Sequence, residues 1–443
     1  MKKYPIILLV LMALWSCQEK EDIQITSEDF HASVDKVTQV MVHDIFSPPV
    51  ASRVFAYPNI AAYEIIASQQ PEYNSLVGQV GELSAIPKPQ DTTQLNFELA
   101  ALVAHMELSK RLIFSEEMVE SFRDSLYAKW NAINPAQFEK SREYGLEVAD
   151  FIGQWMNNDN YKETRTMPKF SVYSDDPSRW QPTPPAYMDG IEPHWNKIRP
   201  FTLDSAAQFK PAPPPAYSME KDSKFFKELE EVFTISNEIT AKGDSSEEVQ
   251  IAQFWDCNPY VSITRGHLMF ATKKITPGAH WIGITKIACR KNELDFNSTV
   301  NAYAKTSIGI FEAFISCWDE KYRSNLIRPE TLINKHFDDS WKPILQTPPF
   351  PEYTSGHSVV SGCASTVLTS IFGDNYQFDD DTEIPYGLPV RSFESFNKAA
   401  DEAAVSRLYG GIHYRAAIDV GLEQGRQLGQ FVVEKLKLEA TSK

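Results

Sequence analysis

The chain has 443 residues, of which 42% are hydrophobic and 12% aromatic, and it carries a formal net charge of −16. This composition excludes a disordered chain, because it supplies enough apolar and aromatic residues to bury a large core. The acidic balance makes the chain a poor partner for nucleic acid or for anionic lipid headgroups, so a local group of cationic residues stands out.

The N-terminal residues are typical of an export signal. Residues 1–16 begin with Met-Lys-Lys, continue as an apolar run too short to span a bilayer, and end in Leu-Trp-Ser just before Cys17. That ending resembles the cleavage box of bacterial lipoproteins. We therefore expect residues 1–16 to be a lipoprotein signal peptide, Cys17 to be the lipidation site and residues 17–27 to be a tether. The expected location is the periplasmic or cell-surface face of the outer membrane, with an ordinary signal peptide as the alternative.

Helical periodicity dominates the rest of the chain, and alternating strand patterns are few. The helical segments predicted in chain order are 30–45, 51–67, 95–114, a helix capped by Ser115, 136–156, 221–235, 247–254, 278–291, 298–321, 356–372, 392–409 and 418–436. Pro58 is expected to kink or restart the second of these helices. The pattern predicts an all-α protein with one helical domain over residues 28–440.

Residues 157–217 contain too many prolines for long helices. A solvated linker would not need the aromatic residues that are interspersed there, such as Trp180 and Trp195. We therefore predict an ordered, proline-rich excursion that lies over the helical body and could shape the mouth of a site.

Two smaller features suggest metal or disulfide chemistry only weakly. Residues 379–381 are three aspartates, for which a solvated acidic turn is favoured over a calcium site. The cysteines after Cys17 have no CxxC spacing, so a zinc site is not predicted. They could form disulfides in an exported protein or be buried free thiols.

The first of three candidate segments runs from Lys321 to Pro329. Lys321 and Arg328 are seven residues apart, which corresponds to two turns along one face of a continuous helix. Pro329 is expected to end that helix, because it lacks the N–H group that the next turn requires. Taken alone, such a pair is also typical of a solvated helix face.

The second segment is Ser355-Gly356-His357, directly before a predicted helix. Ser355 can cap the helix, and Gly356 allows the backbone to approach a ligand closely. The N–H groups at a helix N-terminus attract an anion, and His357 is suited to proton transfer beside it. Taken alone, this tripeptide is common and need not be functional.

The third segment runs from Ser406 to His413. Arg407 offers a planar fork of donors that matches a tetrahedral oxyanion. The pair Gly410-Gly411 permits a tight break in the chain before His413. An ordinary junction between helices with a surface histidine would show the same pattern.

Together the three segments predict an oxyanion site, because buried cations are costly without an anion to pair with them. The predicted site residues are Lys321, Arg328, Ser355, Gly356, His357, Arg407 and His413.

Their order, Lys-x6-Arg-Pro, then Ser-Gly-His, then Ser-Arg-x5-His, resembles the combined motif of the type 2 phosphatidic acid phosphatase and vanadium haloperoxidase superfamily. The resemblance implies a large helical bundle with its active-site core over residues 297–436 and, in the haloperoxidase branch, a vanadate cofactor. It implies that His413 ligates vanadium, or attacks phosphorus in the phosphatases, that His357 is the acid–base residue and that Lys321 polarises peroxide. The other motif residues would help to hold the oxyanion, namely Arg328, Ser355, Gly356 and Arg407.

The sequence departs from the family pattern at two positions. Thr354 stands where the family usually has proline, which alters only the turn. Ala417 stands where many members have an aspartate four residues after the last histidine, and the nearest acid, Asp419, lies on another helix face. His413 therefore needs a different partner to fix its tautomer, and this lack would harm a nucleophile more than a metal ligand.

The oxyanion motif does not distinguish vanadate from phosphate, so the surrounding sequence must do so. The long helical N-terminal half looks like the haloperoxidases, and Trp318 and Phe350 lie where chloroperoxidases of the family place Trp and Phe. These two rings could form an apolar wall that desolvates a halide, or they could be ordinary core residues. The favoured function is a vanadate-dependent haloperoxidase that oxidises halide with hydrogen peroxide to hypohalous acid.

Two other functions stay open. The first is a soluble acid phosphatase with a phosphohistidine intermediate, and the second is a non-enzymatic binder of phosphate or a glycan. The expected partners are hydrogen peroxide and halide, not nucleic acid, with membrane contact only through the lipid anchor and a homodimer as an open alternative.

Overall fold

The computed structural model describes residues 21–265, 268–271 and 273–440. The predicted signal peptide and Cys17 lie outside these residues. The described part contains fourteen α-helices: α1 (Ser27–His43), α2 (Pro48–Ala67), α3 (Phe97–Lys110), α4 (Glu116–Ile133), α5 (Pro135–Met156), α6 (Tyr161–Thr164), α7 (Lys224–Lys242), α8 (Glu247–Phe254), α9 (Pro277–Lys291), α10 (Phe296–Ser324), α11 (Pro329–His336), α12 (Gly356–Phe372), α13 (Phe396–Tyr409) and α14 (Arg415–Lys435). The prediction of an all-α fold is confirmed.

The β-structure of the described residues consists mainly of two short antiparallel hairpins. In the first, β1 (Ser262–Arg265) pairs with β2 (Leu268–Ala271). In the second, β3 (Phe378–Asp380) pairs with β4 (Arg391–Phe393), with Phe378 opposite Phe393. Two short 3-10 helices cover Trp195–Lys197 and Ile384–Tyr386. Residue 392 was predicted to start a helix but lies in β4, and α13 begins later, after the Ser395 cap.

The predicted helix restart at Pro58 and the predicted continuous helix from Lys321 to Arg328 are not found. Helix α2 runs through Pro58 without restarting, and it begins at Pro48 because Ser47 accepts a hydrogen bond from the Val50 N–H at 3.4 Å. Lys321 and Arg328 do not share a helix, because Asn325 adopts the left-handed conformation (φ 47°) that ends α10.

Arg328 is instead the extended residue before α11, and Pro329 opens that helix rather than ending the previous one. The physical reason is that a residue before proline is disfavoured in the helical conformation, whereas proline suits the first turn of a helix.

Close packing of α12 against α14 brings two of the site-bearing segments together. Three glycines on α14 face α12, and a Cβ atom on Gly425 would lie only 2.1 Å from the Val359 carbonyl oxygen. The helices can therefore approach only because side chains are absent at these positions. Where the two helices begin, the Ser355 N–H donates to the Ala417 carbonyl at 3.0 Å. This hydrogen bond fixes the start of α12 beside the start of α14.

The segment before α1 is not the tether that was predicted up to residue 27. Ile23 and Ile25 are buried in the core, and the Ile23 N–H donates to Gln137 Oε1 at 2.6 Å. From Ile23 onwards the chain is therefore part of the folded body. The physical reason is that burial of the two isoleucine side chains is more favourable in free energy than their exposure in a flexible tether.

The proline-rich stretch over 157–217 contains little regular structure but makes specific contacts with the helical body. Trp180 and Trp195 are fully buried. The Trp180 N–H donates to the Asn325 carbonyl, and the Trp318 indole donates to the Ile191 carbonyl. The stretch therefore packs against the ends of the segments that carry Lys321 and Arg328.

The acidic run at 379–381 differs from the predicted solvated turn, because Asp380 is fully buried in the second hairpin and hydrogen-bonds His280. Four cysteines are buried free thiols: Cys257, Cys289, Cys317 and Cys363. Among the described residues, none of the helices is long and apolar enough to cross a membrane.

Candidate active site

The three predicted segments meet at one cavity in the helical body. The cavity is partly open to solvent. Six of the predicted residues line it: Trp318, Phe350, Gly356, His357, Arg407 and His413. The other three lie next to this lining. Lys321 is beside the Phe350 ring, Arg328 contacts His413, and Ser355 directly precedes Gly356. The structure thus brings together all nine residues predicted for the oxyanion and halide positions.

Lys321 lies in the last turn of α10 and is fully buried. Its ammonium group donates to the carbonyls of Pro351, Glu352 and Thr354 at 3.1, 3.1 and 2.6 Å. Lys321 therefore also holds the loop that leads into α12, which is a structural role that the sequence did not indicate.

Arg328 and Arg407 are buried on two other sides of the site. Arg328 donates to the Phe350 and Ile412 carbonyls at 3.0 and 2.9 Å, whereas its Nη2 atom has no partner among the described residues. Arg407 donates to the Trp255 carbonyl at 2.8 Å. Both guanidinium groups are thus held in place by backbone carbonyls.

None of these three cations forms an ion pair with a carboxylate among the described residues. Burial lowers the pKa of Lys321 to about 7 and that of Arg328 to about 10, and it lowers the pKa of Arg407 as well. The direction of these shifts expresses the cost of burying positive charge without a counter-charge. A bound oxyanion would remove that cost.

His413 has a buried carboxylate partner that sequence reasoning missed. Its Nδ1 lies 2.7 Å from Oε1 of Glu352, and the Tyr414 N–H donates to the same oxygen at 3.0 Å. The Arg328 guanidinium lies 3.1 Å from His413 Nε2 and can only donate, so Nε2 carries the lone pair and Nδ1 carries the proton. Glu352 therefore supplies the orientation that the missing acid at Ala417 would have given.

The pKa of His413 is held well below its usual range. Burial is the main cause, and the nearby charge of Arg328 is the second. Burial raises the pKa of Glu352 to about 8, although Arg328 and Lys321 oppose this shift. His413 is thus a neutral imidazole at neutral pH, as a metal ligand must be.

His357 stands in the first turn of α12. Burial, followed by the charge of Arg407, holds its pKa well below the usual range, although the Trp255 carbonyl opposes this shift. The ring is therefore a neutral imidazole at neutral pH, with one nitrogen carrying a lone pair. Nε2 has no partner among the described residues, and His357 lines the cavity. This atom is available to accept a proton from a ligand there.

The N-terminus of α12 provides backbone donors beside these side chains. Ser355 is its N-cap and accepts a hydrogen bond from the Ser358 N–H at 3.3 Å. A Cβ atom on Gly356 would lie in van der Waals contact with Trp318 Cζ3 and Lys321 Cε, at 3.5 and 3.8 Å, so glycine keeps this space beside the helix end open. The arrangement is that of an anion site at a helix N-terminus.

Trp318 and Phe350 form an apolar wall next to the cations. Their ring centroids are 5.0 Å apart, and the Lys321 ammonium lies 5.0 Å from the Phe350 centroid and 5.7 Å from that of Trp318. Both rings are buried in the core and also line the cavity. The two sequence interpretations, core residues and cavity wall, are therefore compatible.

The sequence contained a weak signal for Glu352, which stands three residues before Ser355 in an otherwise uncharged segment. The residues of the loop after α8 gave no such signal. Cys257 and Asn258 of that loop line the cavity, and the Trp255 carbonyl orients Arg407.

The site fits a tetrahedral oxyanion such as vanadate. It combines buried cations without carboxylate partners, an unpartnered donor on Arg328, a helix N-terminus and a neutral histidine whose Nε2 carries a lone pair. A ligand bound at His413 Nε2 would replace the contact that Arg328 makes with that atom.

The fold and the site thus define the class of protein, a helical protein with a buried pocket suited to an oxyanion. Comparisons with known proteins identify the family. Residues 335–440 match the model of the VCPO second helical-bundle domain. A solved structure described as the first bacterial vanadium-dependent iodoperoxidase is 69% identical, covers 96% of this chain and 100% of its own, and superposes with a TM-score of 0.92.

Two other comparisons are more distant. A holo-type bacterial vanadium-dependent chloroperoxidase is 16% identical, covers 94% of this chain and 98% of its own with a TM-score of 0.69, and supports the fold. The vanadium-dependent bromoperoxidase of Corallina officinalis is 31% identical over 102 residues, which are 21% of this chain and 17% of that protein.

The chain belongs to the vanadium-dependent haloperoxidase family, on the strength of the full-length match to the iodoperoxidase. The predictions of the family, of a peroxidase acting on halide and of a vanadate cofactor are confirmed. The roles of the individual site residues stay predictions.

Proposed function

We propose that this protein oxidises halide with hydrogen peroxide to hypohalous acid and that iodide is the halide it uses best. The observation that carries the proposal is the cluster of buried cations and neutral histidines against the wall of Trp318 and Phe350. The 69% identity to an iodoperoxidase supports the choice of iodide.

In this proposal, vanadate supplies a site at which hydrogen peroxide is made electrophilic. His413, held by Glu352, would ligate the metal through Nε2. Arg328, Arg407 and the N–H of Gly356 would hold the oxyanion charge, which leaves His357 Nε2 to accept a proton from the incoming peroxide. The aromatic wall would strip water from the halide as it approaches.

One protein sample tests the proposal against the phosphatase alternative. After loading with orthovanadate, the protein should form triiodide from iodide and peroxide, and a metal-free portion should not hydrolyse a phosphate monoester. Because Glu352 orients His413, the missing acid at Ala417 no longer argues against a nucleophilic histidine. Phosphatase activity that vanadate inhibits, without iodide oxidation, would therefore establish the alternative.

Lys321 is predicted to act on peroxide more than on cofactor retention. Replacement by methionine, which keeps the apolar stem but removes the charge, should lower turnover about 100-fold, as does the loss of a donor that stabilises developing negative charge. The fall in vanadate affinity should be smaller, because Arg328 and Arg407 remain. Steady-state kinetics and vanadium titration check this together, and a larger loss of affinity than of turnover would contradict the role.

We also propose that the chain is exported as a lipoprotein, on the sequence evidence at Cys17 alone. Mass spectrometry of membrane-extracted protein from a bacterial host should find a diacylglyceryl-modified Cys17 as the first residue. A mature chain that begins elsewhere without lipid would refute this.

A further inference from the structure

A second cluster of metal-binding side chains lies beside the active-site cavity but outside the oxyanion motif. Cys257, His280 and Glu383 each place one donor atom there, and all three atoms lie within 4.8 Å of one another. Their exposed fractions are 1%, 0% and 5%. They come from three separate parts of the chain: the loop after α8, the first turn of α9 and the turn after β3.

The separations match those of ligands around one ion. Cys257 Sγ is 3.5 Å from His280 Nδ1, and Nδ1 is 3.3 Å from Glu383 Oε1. A tetrahedral zinc ion with ordinary bonds to sulfur, nitrogen and oxygen would set these two edges at about 3.6 and about 3.4 Å.

The far side of the His280 ring is fixed by a buried carboxylate. Nε2 lies 2.8 Å from Asp380 Oδ2, and Asp380 is fully buried. Carboxylates in this position hold the proton on the outer nitrogen of a metal-bound histidine and leave the inner nitrogen free to ligate. With the proton on Nε2, the lone pair of Nδ1 faces the carboxylate oxygen of Glu383, and a cation between them would remove the repulsion.

We propose that Cys257, His280 and Glu383 bind a zinc ion, with water completing the coordination. The mixture of thiolate, imidazole and carboxylate suits zinc and not calcium or magnesium, which prefer oxygen ligands alone. The spacing of the cysteines did not predict this site, because a single cysteine contributes and the other ligands are distant in sequence.

The ion would stabilise the wall of the active site. Cys257 lines the cavity, and the carbonyl of Trp255, two residues earlier, holds Arg407 in place. The indole of Trp255 stacks on the His280 ring with centroids 4.5 Å apart. Zinc would therefore tie the loop after α8 to α9 and to the second hairpin.

The test uses tag-free protein that has been treated with a chelator, dialysed against zinc and then reloaded with orthovanadate. Elemental analysis should give about one zinc per chain, and cobalt(II) in its place should give a thiolate-to-metal charge-transfer band in the ultraviolet. Cys257→Ser should abolish that band and weaken zinc binding at least 10-fold. Cys289→Ser, a substitution of another buried thiol, should change neither.

A wild-type protein that takes up no zinc, or a Cys257→Ser variant that binds as much as the wild type, would overturn the proposal. A proton on Nδ1 of His280, between Asp380 and Glu383, would then explain the geometry. If Cys257→Ser does not fold, the wild-type cobalt spectrum and Glu383→Gln still decide the question. None of these measurements depends on peroxidase activity, so this inference and the proposed function fail separately.

Discussion

Replacement of His413 by alanine should abolish vanadate retention and, with it, halide oxidation. Its side chain is a neutral imidazole in the cavity, oriented by Glu352 so that Nε2 carries the lone pair, and burial together with Arg328 keeps it unprotonated. Without it, Arg328 and Arg407 would hold the anion by charge alone. After gel filtration, vanadium per chain should fall from about one to near zero, and triiodide formation should fall to background.

His105→Ala is the matched control, because His105 is also buried but hydrogen-bonds Ser33 away from the cavity. That variant should keep its vanadium as long as it remains folded by circular dichroism. A His413→Ala protein that retained stoichiometric vanadium would show that His413 is not the ligand.

Replacement of Glu352 by alanine should weaken vanadate binding by about 10- to 100-fold, the usual effect of removing a carboxylate that orients a metal-bound histidine. The change leaves the Nδ1–H of His413 and the N–H of Tyr414 without their shared acceptor. The imidazole would then be free to rotate or to change tautomer. Vanadium titration followed by activity measures the effect.

Glu352→Gln should restore most of the affinity, because an amide oxygen can still accept both hydrogen bonds. Glu312→Ala is the control for loss of a buried carboxylate, since Glu312 accepts the Phe201 and Thr202 N–H groups elsewhere in the core. Equal losses of affinity for Glu352→Ala and Glu312→Ala would mean that the effect is general destabilisation and not orientation of His413.

Much of the fold was predictable because the helical signals are local. Glu247–Phe254 and Gly356–Phe372 begin and end where the sequence pattern placed them. The predicted helix boundaries were wrong at prolines, because a proline can either interrupt a helix or occupy its first turn. Pro329 was expected to end a helix and instead begins one, and Pro58 is accommodated inside α2.

The candidate site was predictable for a different reason. Its residues fall in a fixed order with fixed spacing, and the positive charge of Lys321, Arg328 and Arg407 contrasts with an acidic chain. Glu352 was missed because its importance depends on which atom of His413 it faces. That fact depends on how the loop before α12 packs against the turn before α14, and no local pattern encodes it.

The sequence by itself determined the helical class, the family resemblance and the residues predicted to hold the oxyanion, because these depend on periodicity and on side-chain chemistry at short spacing. Only the tertiary structure decided how the oxyanion residues work together. It paired His413 with Glu352, left a donor of Arg328 without a partner, and brought Cys257 to His280 and Glu383. These relations join segments that are distant along the chain, so tertiary packing and not local sequence decides them.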